Sequence, residues 1–332
     1  MFPLISALIK TAFNVALVGG AYRMESFIAE FSNLLLMKLN FKRGMGMKGT
    51  SVNLVTFGYE DIPELILLSA SVGWDYDEHE IRTMMKSGKI YGHKNEEGKV
   101  VSSAAIIPYD TSLASIGMVI VHEEYRRMGL GKIVTRACIN TVSKDTAIML
   151  IATEQGKPLY EKMGFSVVDC VHKYLCDHYI PVRSINKMDI EINTFSQEDV
   201  TQMIKLDEKA VGAKRSKFLV NRIEQAKECL VVKDSNGTII GYGLSILGPI
   251  NLILGPIVAP NFEIASLLID ELARNHQGRL RIDVPSGHEE FMLFLEQRGF
   301  YKVSQPPIMI MNAKQLPRRN GTLYGIAAQV FG

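Results

Sequence analysis

Cysteine is scarce in this chain, with four in 332 residues. Cys138, Cys170, Cys176 and Cys229 form no Cys-x-x-Cys pair and have no histidine at zinc-ligand intervals. A disulfide framework and a metal site are therefore not expected, and reduced thiols in a cytoplasmic protein are. Neither sign of charge dominates. The 37 basic and 35 acidic residues leave a net charge of +2, too small for a global field that gathers nucleic acid. No continuous apolar run is long enough to span a bilayer. Met1 to Met24 comes nearest, and Lys10, Asn14 and Arg23 interrupt it. With no small-x-small cleavage site, that segment does not read as a signal peptide either. Neither a membrane nor a nucleic acid is an expected partner.

What the chain does have is 47% hydrophobic residues and a length for which two domains are the prior. Its most informative stretch is an apolar strand from Ile116 to Val121 that runs into Arg126-x-x-Gly129-x-Gly131 and then into a helix from Lys132 to about Val142. A glycine-spaced turn at a helix N-terminus aims several backbone N–H groups at one point, where the helix dipole is positive and a pyrophosphate can sit. Arg126 and Arg127 add cationic donors there. Taken alone the turn is equally a device for relieving backbone strain. It is followed by a second apolar strand, Ala147 to Ala152, and by Leu159-Tyr160-Glu161-Lys162-x-Gly164-Phe165. A Rossmann reading fails because Gly-x-Gly-x-x-Gly is absent and this strand does not open a βαβ series.

In this order and spacing the two motifs resemble those of the GNAT superfamily of acyl-CoA-dependent N-acyltransferases, with a match from about Asn53 to about Leu175. The resemblance implies an α/β fold with a mixed, mostly antiparallel sheet, and acetyl-CoA as co-substrate. The coenzyme would lie against Arg126, Arg127, Gly129, Leu130, Gly131 and Lys132, with pantetheine between two splayed strands along Val119, Ile120 and Val121. Tyr160 would protonate the departing thiolate; the plainer alternative is that it packs against Phe165. Many members carry Asn and Ala where this chain has Thr153 and Gly156, and the Thr153 hydroxyl can still bond an amide. No carboxylate lies on the strand from Ile116 to Val121, so the general base is unassigned among Asp75, Asp77, Glu78, His79, Glu154 and a water chain. Trp74, the only tryptophan, either lines the acceptor pocket or caps the core. Asp75, Asp110 and Glu154 are further pocket candidates.

The motif set occurs in a repeat. Thr56-Phe57-x-x-Glu60-Asp61 returns as Thr194-Phe195-x-x-Glu198-Asp199, an offset of 138 residues (194 − 56). Gly98, Gly117 and Gly164-Phe165 return as Gly237, Gly255 and Gly299-Phe300, at 139, 138 and 135. Two copies of one fold are therefore expected, with a catalytic domain at 51–176, a linker at 177–188 and a second domain at 189–332. The second copy has no Arg-x-x-Gly-x-Gly, and Leu295 stands where Tyr160 should be. Leucine cannot donate a proton, so this copy is expected to be inert. The arrangement resembles bacterial tandem acetyltransferases in which an active N-terminal GNAT domain precedes a degenerate one, a pattern that the Ala210–Arg215 run and the Leu323–Ala328 stretch fit.

The expected activity is acetyl transfer from acetyl-CoA to the primary amine of a small molecule or peptide. A coenzyme-responsive sensor without turnover and a transferase for longer acyl groups are the alternatives. Tyr160 favours catalysis, since a sensor needs no leaving-group acid. Residues 1–50 stand outside the repeat, and Lys42-Arg43-Gly44 can be encoded as a purine run resembling a ribosome-binding site ahead of Met47. Translation is expected to start at Met47, and the intact mass of the natively expressed protein checks this: retention of Met1 would overturn it.

Overall fold

The computed structural model describes residues 52–181 and 190–332. The expected start at Met47 and most of the expected linker lie outside the described residues. The first lobe runs β1 (Asn53–Thr56), α1 (Ile62–Ser71), α2 (Glu78–Ser87), β2 (Lys89–Lys94), β3 (Val100–Pro108), β4 (Leu113–Val121), α3 (Leu130–Ile139), β5 (Ala147–Ile151), α4 (Lys157–Met163) and β6 (Ser166–Cys176). The second lobe repeats the order: β7 (Ile190–Thr194), α5 (Val200–Val211), α6 (Ser216–Gln225), β8 (Glu228–Asp234), β9 (Ile239–Leu247), β10 (Asn251–Val258), α7 (Phe262–Ala273), β11 (Arg279–Pro285), α8 (Glu289–Gln297) and β12 (Tyr301–Ser304). β13 (Pro307–Met311) and β14 (Leu323–Gly325) follow.

Among the described residues, all fourteen strands belong to one sheet, ordered β1-β2-β3-β4-β5-β13-β6-β11-β10-β9-β8-β7, with β12 on β6 and β14 on β10. The repeat explains the order. β6 and the β12–β13 stretch are equivalent segments, and they pair antiparallel along their length, from Tyr301 opposite Leu175 to Ile310 opposite Ser166. Each segment crosses between lobes. The second half of β6 lies on β11 of the second lobe, Leu280 opposite Cys176 and Pro285 opposite Val171. β13 lies on β5 of the first lobe, Ile308 opposite Ile151 and Met311 opposite Ile148. Each lobe's sheet is thus completed by a strand of the other.

Alternation along the strands places apolar side chains on both faces. One core joins α1 and α2 to α5, α6 and the C-terminal residues Ile326, Val330 and Phe331. A second lies beneath α3 and α4 of the first lobe and a third beneath α7 and α8 of the second. The shared core holds two fully buried arginines, whose charges stand only because they are paired. Arg215 forks onto Asp207 at 2.8 and 2.9 Å, and its remaining nitrogen donates to the Gly332 carbonyl at 3.0 Å. Arg222 donates to Glu80 of α2 and, at 2.7 Å, to the Ala327 carbonyl.

These contacts hold residues 326–332 across the junction of the lobes, where Ser115 Oγ donates to the Val330 carbonyl at 2.9 Å. Gly117 on β4 is what lets this tail pass. A Cβ there would meet the Val330 backbone at 2.7 Å and its side chain at 2.5 Å. Gly117→Val should therefore lower stability by about 1–3 kcal/mol, read as a shift of the urea midpoint, and an unchanged midpoint would show that the tail does not press on this strand.

Candidate functional site

β4 and β5 pair in parallel only from Leu113 opposite Ala147 to Ile116 opposite Leu150. Beyond Ile116 they part. The cause lies in β4, where Met118 takes φ 51° and the register against β3 slips, Ala105 facing Gly117 while Ser103 faces Ile120. Ser103 Oγ fixes the bulge by donating to the Met118 carbonyl at 2.9 Å. The β5-facing edge of residues 117–121 is left without a strand partner, as expected for a site that binds an extended amide-bearing chain between splayed strands.

The strand then leads to the turn. Arg127 (φ 68°) and Gly129 (φ 79°) are both left-handed, and Gly129 is the N-cap of α3. α3 has no side-chain cap and no acidic residue in its first turn. Its first N–H groups therefore keep their demand for an acceptor, which an anion can meet. Arg126, Arg127 and Lys132 surround the opening. Nothing lies within 4 Å of where a Gly129 Cβ would be, so a phosphate has room. These residues, with Val119, Ile120, Val121, Leu130, Gly131, Thr153 and Tyr160, line one cleft of about 800 Å³.

Tyr160 stands on α4 and lines this cleft. Its ring packs edge-on against Phe165 at 5.9 Å, so packing and exposure to the cleft coexist. Burial, and then the nearby Cys138, holds its hydroxyl well above the usual tyrosine range, so the proton is retained. Gly156 makes room for it, since a Cβ there would come within 2.9 Å of the ring and 3.2 Å of Thr153 Oγ1. Thr153 Oγ1 accepts from the Gly156 N–H at 3.1 Å and keeps its own proton to donate.

A second cavity, about 390 Å³, adjoins the first. The two share Trp74, Gly117, Met118, Ile151, Thr153 and Glu154. Trp74 both lines them and packs on the core, edge-on to Tyr76 at 6.0 Å. Asp75 lines the second cavity and accepts from Asn251 Nδ2 of the other lobe at 3.1 Å. Asp77 also lines it, but its carboxylate caps α2, accepting from the Glu80 N–H at 2.8 Å. Glu78 is paired with Arg82 on the surface. Asp110 does not reach this place: its carboxylate accepts from the Ser216 N–H at 2.8 Å, at the start of α6. The pocket role expected for Asp110 is corrected accordingly, because the hairpin after β3 points toward α6. Sequence reasoning missed Met118, Lys173, Arg281 and the tail residues Ala328 to Val330, all of which line the second cavity.

The second lobe repeats the splay and fills it. β10 and β11 pair from Asn251 opposite Arg279 to Ile253 opposite Arg281, and beyond that point β14 lies on β10, Ile257 opposite Gly325 and Val258 opposite Leu323. The N-terminus of α7 is closed by its own chain, as Asn261 Oδ1 accepts from the Ile264 N–H at 3.0 Å and Glu263 adds negative charge. Among the described residues, β14 and Asn261 thus take the strand edge and the helix start that stay open in the first lobe.

Comparison with known proteins agrees with the doubling. Residues 71–173 and residues 203–325 each match a model described as an acetyltransferase (GNAT) domain. Over 280 residues the chain is 38% identical to the uncharacterized N-acetyltransferase YitH of Bacillus subtilis (strain 168), covering 84% of this chain and 98% of the relative. The chain belongs to the GNAT acetyltransferase family. Two GNAT domains stand in tandem within it. Solved structures share this fold: one from Pyrococcus horikoshii classed as an acetyltransferase (TM-score 0.69, 18% identity, 87% of this chain and 98% of that one) and a tandem GNAT protein from the clavulanic acid biosynthesis pathway (0.60, 13%, 79% and 98%). Among the described residues of this GNAT protein no helix is long and apolar enough to cross a membrane, and no cluster of His, Cys, Asp or Glu could hold a metal.

Gly129→Asp puts a carboxylate at the vacant N-terminus of α3. Calorimetric affinity for coenzyme A should fall by more than about tenfold, beside a stability cost of about 1–2 kcal/mol from the positive φ, and unchanged affinity would remove this turn from the site.

Proposed function

We propose that the first lobe transfers an acetyl group from acetyl-CoA to a primary amine by direct attack of the amine on the thioester, and that the second lobe is catalytically inert. The reading is carried by one contrast. The same splayed pair of strands occurs twice, and among the described residues only the first copy has an open strand edge, an uncapped helix N-terminus and a tyrosine lining the cleft.

The first cleft fits the coenzyme chemically. Uncapped N–H groups and three cations suit a pyrophosphate, and the unpaired edge of 117–121 suits the amides of pantetheine. Acetyl-CoA, when bound, would supply the activated acyl group. The chain's own part is to position and to manage protons. A main-chain N–H on the open edge of β4 would polarise the thioester carbonyl. Tyr160, kept protonated by burial, would hold a proton for the sulfur as it departs. Asp75 and Glu154 remain as carboxylates that attract an ammonium and take up its proton, Asp77 being occupied by α2. The shared wall of Trp74, Gly117, Met118, Ile151, Thr153 and Glu154 would let the amine in the second cavity meet the acyl group held in the first.

A longer acyl group is less well supported, because the bulge side of β4 is already occupied by the C-terminal tail at Gly117. Tyr160→Phe should lower kcat by about 10–100-fold with little change in the Michaelis constant for acetyl-CoA. Wild-type turnover across the pH range in that variant would assign the proton to another group.

A further inference from the structure

The second cavity carries charges of both signs, and most of them are already spoken for. Glu80 is paired with Arg222. Arg281 is held by Asp283 at 2.8 Å, and Gln329 of the tail secures Asp283 from its other side at 2.8 Å. Asp77 is used by α2. What remains is Asp75, Glu154 and Lys173.

Lys173 is the odd member. It projects from β6 at the centre of the exchanged strands, with Asp283 opposite it on β11 and Ser304 on β12. It lines the cavity, flanked in sequence by Tyr174 and, two residues before, Val171, both buried. It makes no ion pair or hydrogen bond among the described residues. Asp283 and Asp75 favour its charge, but Asp283 is bonded to Arg281 and Gln329 and Asp75 to Asn251, so this half-buried ammonium beside an arginine has no ion pair of its own. Burial, then the Arg281 charge, pushes its pKa below the usual lysine value, and a bound anion would relieve both effects.

Glu154 lines the same cavity, at the wall common to both clefts. Ile151 and Asp169 face Ile308 from opposite sides, so β13 separates the β5 and β6 backbones there, and the cavity lies ahead of its start, lined by Ser304, Gln305 and Pro306. A cation from β6 and a carboxylate from the turn after β5 thus line one cavity. We propose that the acetyl acceptor is an amine that also bears a carboxylate, held with its carboxylate on Lys173 and its amino group toward Glu154 and the first cleft. This rests on the first lobe acting on amines. A phosphate in place of the carboxylate is disfavoured, because Lys173 is the one uncommitted cation lining this cavity among the described residues and two carboxylates share the space.

The test is calorimetric titration of the full-length protein saturated with coenzyme A, using the common α-amino acids and the ω-amino acids from glycine to 6-aminohexanoate, each beside its decarboxylated twin, such as L-lysine beside 1,5-diaminopentane. At least one carboxylate-bearing member should bind about tenfold or more tightly than its twin. Lys173→Met should erase that difference while coenzyme A affinity and the unfolding midpoint stay in place, and Lys173→Glu should turn the preference toward the diamine. Twins that bind equally or better throughout, no binding of any amine, or a preference that survives Lys173→Met would each overturn the proposal. Because binding is read without turnover, a carboxylate preference in a protein that shows no acetyl transfer would refute the catalytic reading and keep Lys173 only as a carboxylate-binding residue, so the two failures are told apart.

Discussion

The antiparallel pairing of residues 166–176 with 301–311 is the constraint on which the rest depends. Backbone groups in the middle of a sheet must be matched, and here each lobe finds the last match in the other. β13 covers the edge of β5 while β6 covers the edge of β11. The lobes are therefore not beads joined by a linker but two halves of one fourteen-stranded sheet. The second cavity follows from this directly, since its walls come from β4 and β5 on one side and from β9, β11 and the tail on the other.

The repeat then divides the labour. Both lobes part their central strands, which leaves a wedge that something must fill. In the second lobe β14 supplies backbone to the open edge and Asn261 and Glu263 satisfy the helix beside it. In the first lobe neither substitute is present, and unmet demand persists at the β4 edge and at the start of α3. One wedge is closed by the polypeptide itself. The other keeps the chemistry of an extended, amide-containing, anionic guest.

Much of this was legible in the residues. The glycine turn at 126–131, the tyrosine at 160 and the repeat offsets each carry local chemical meaning, and the structure brings Trp74, Asp75, Glu154, Thr153 and Tyr160 to adjoining clefts. The offsets could not reveal the strand exchange, because equivalent segments look alike whether they close their own lobe or the other. Lys173 and Arg281 were hidden for the same reason, meeting across strands that pair only through the exchange. A lysine between buried Val171 and Tyr174 was the one available signal. Met118 gave none, since a positive φ at methionine leaves no mark on sequence. Asp110 misled because a polar residue after a hairpin strand serves equally well as a cap for another element, which is what it does for α6.

The exchange also sets a schedule for the ribosome. β5 ends at Ile151 and its missing neighbour ends at Met311, so the nascent first lobe waits for 160 more residues (311 − 151) before its edge is covered. At ordinary elongation rates that interval is about 10–30 s. Throughout it the apolar strand Ala147–Ile151 presents unpaired N–H and C=O groups, the usual starting point for misassociation. A chaperone that shields this edge during synthesis would then govern the yield of folded protein, and a message broken before codon 307 would produce a chain unable to complete the sheet of its first lobe.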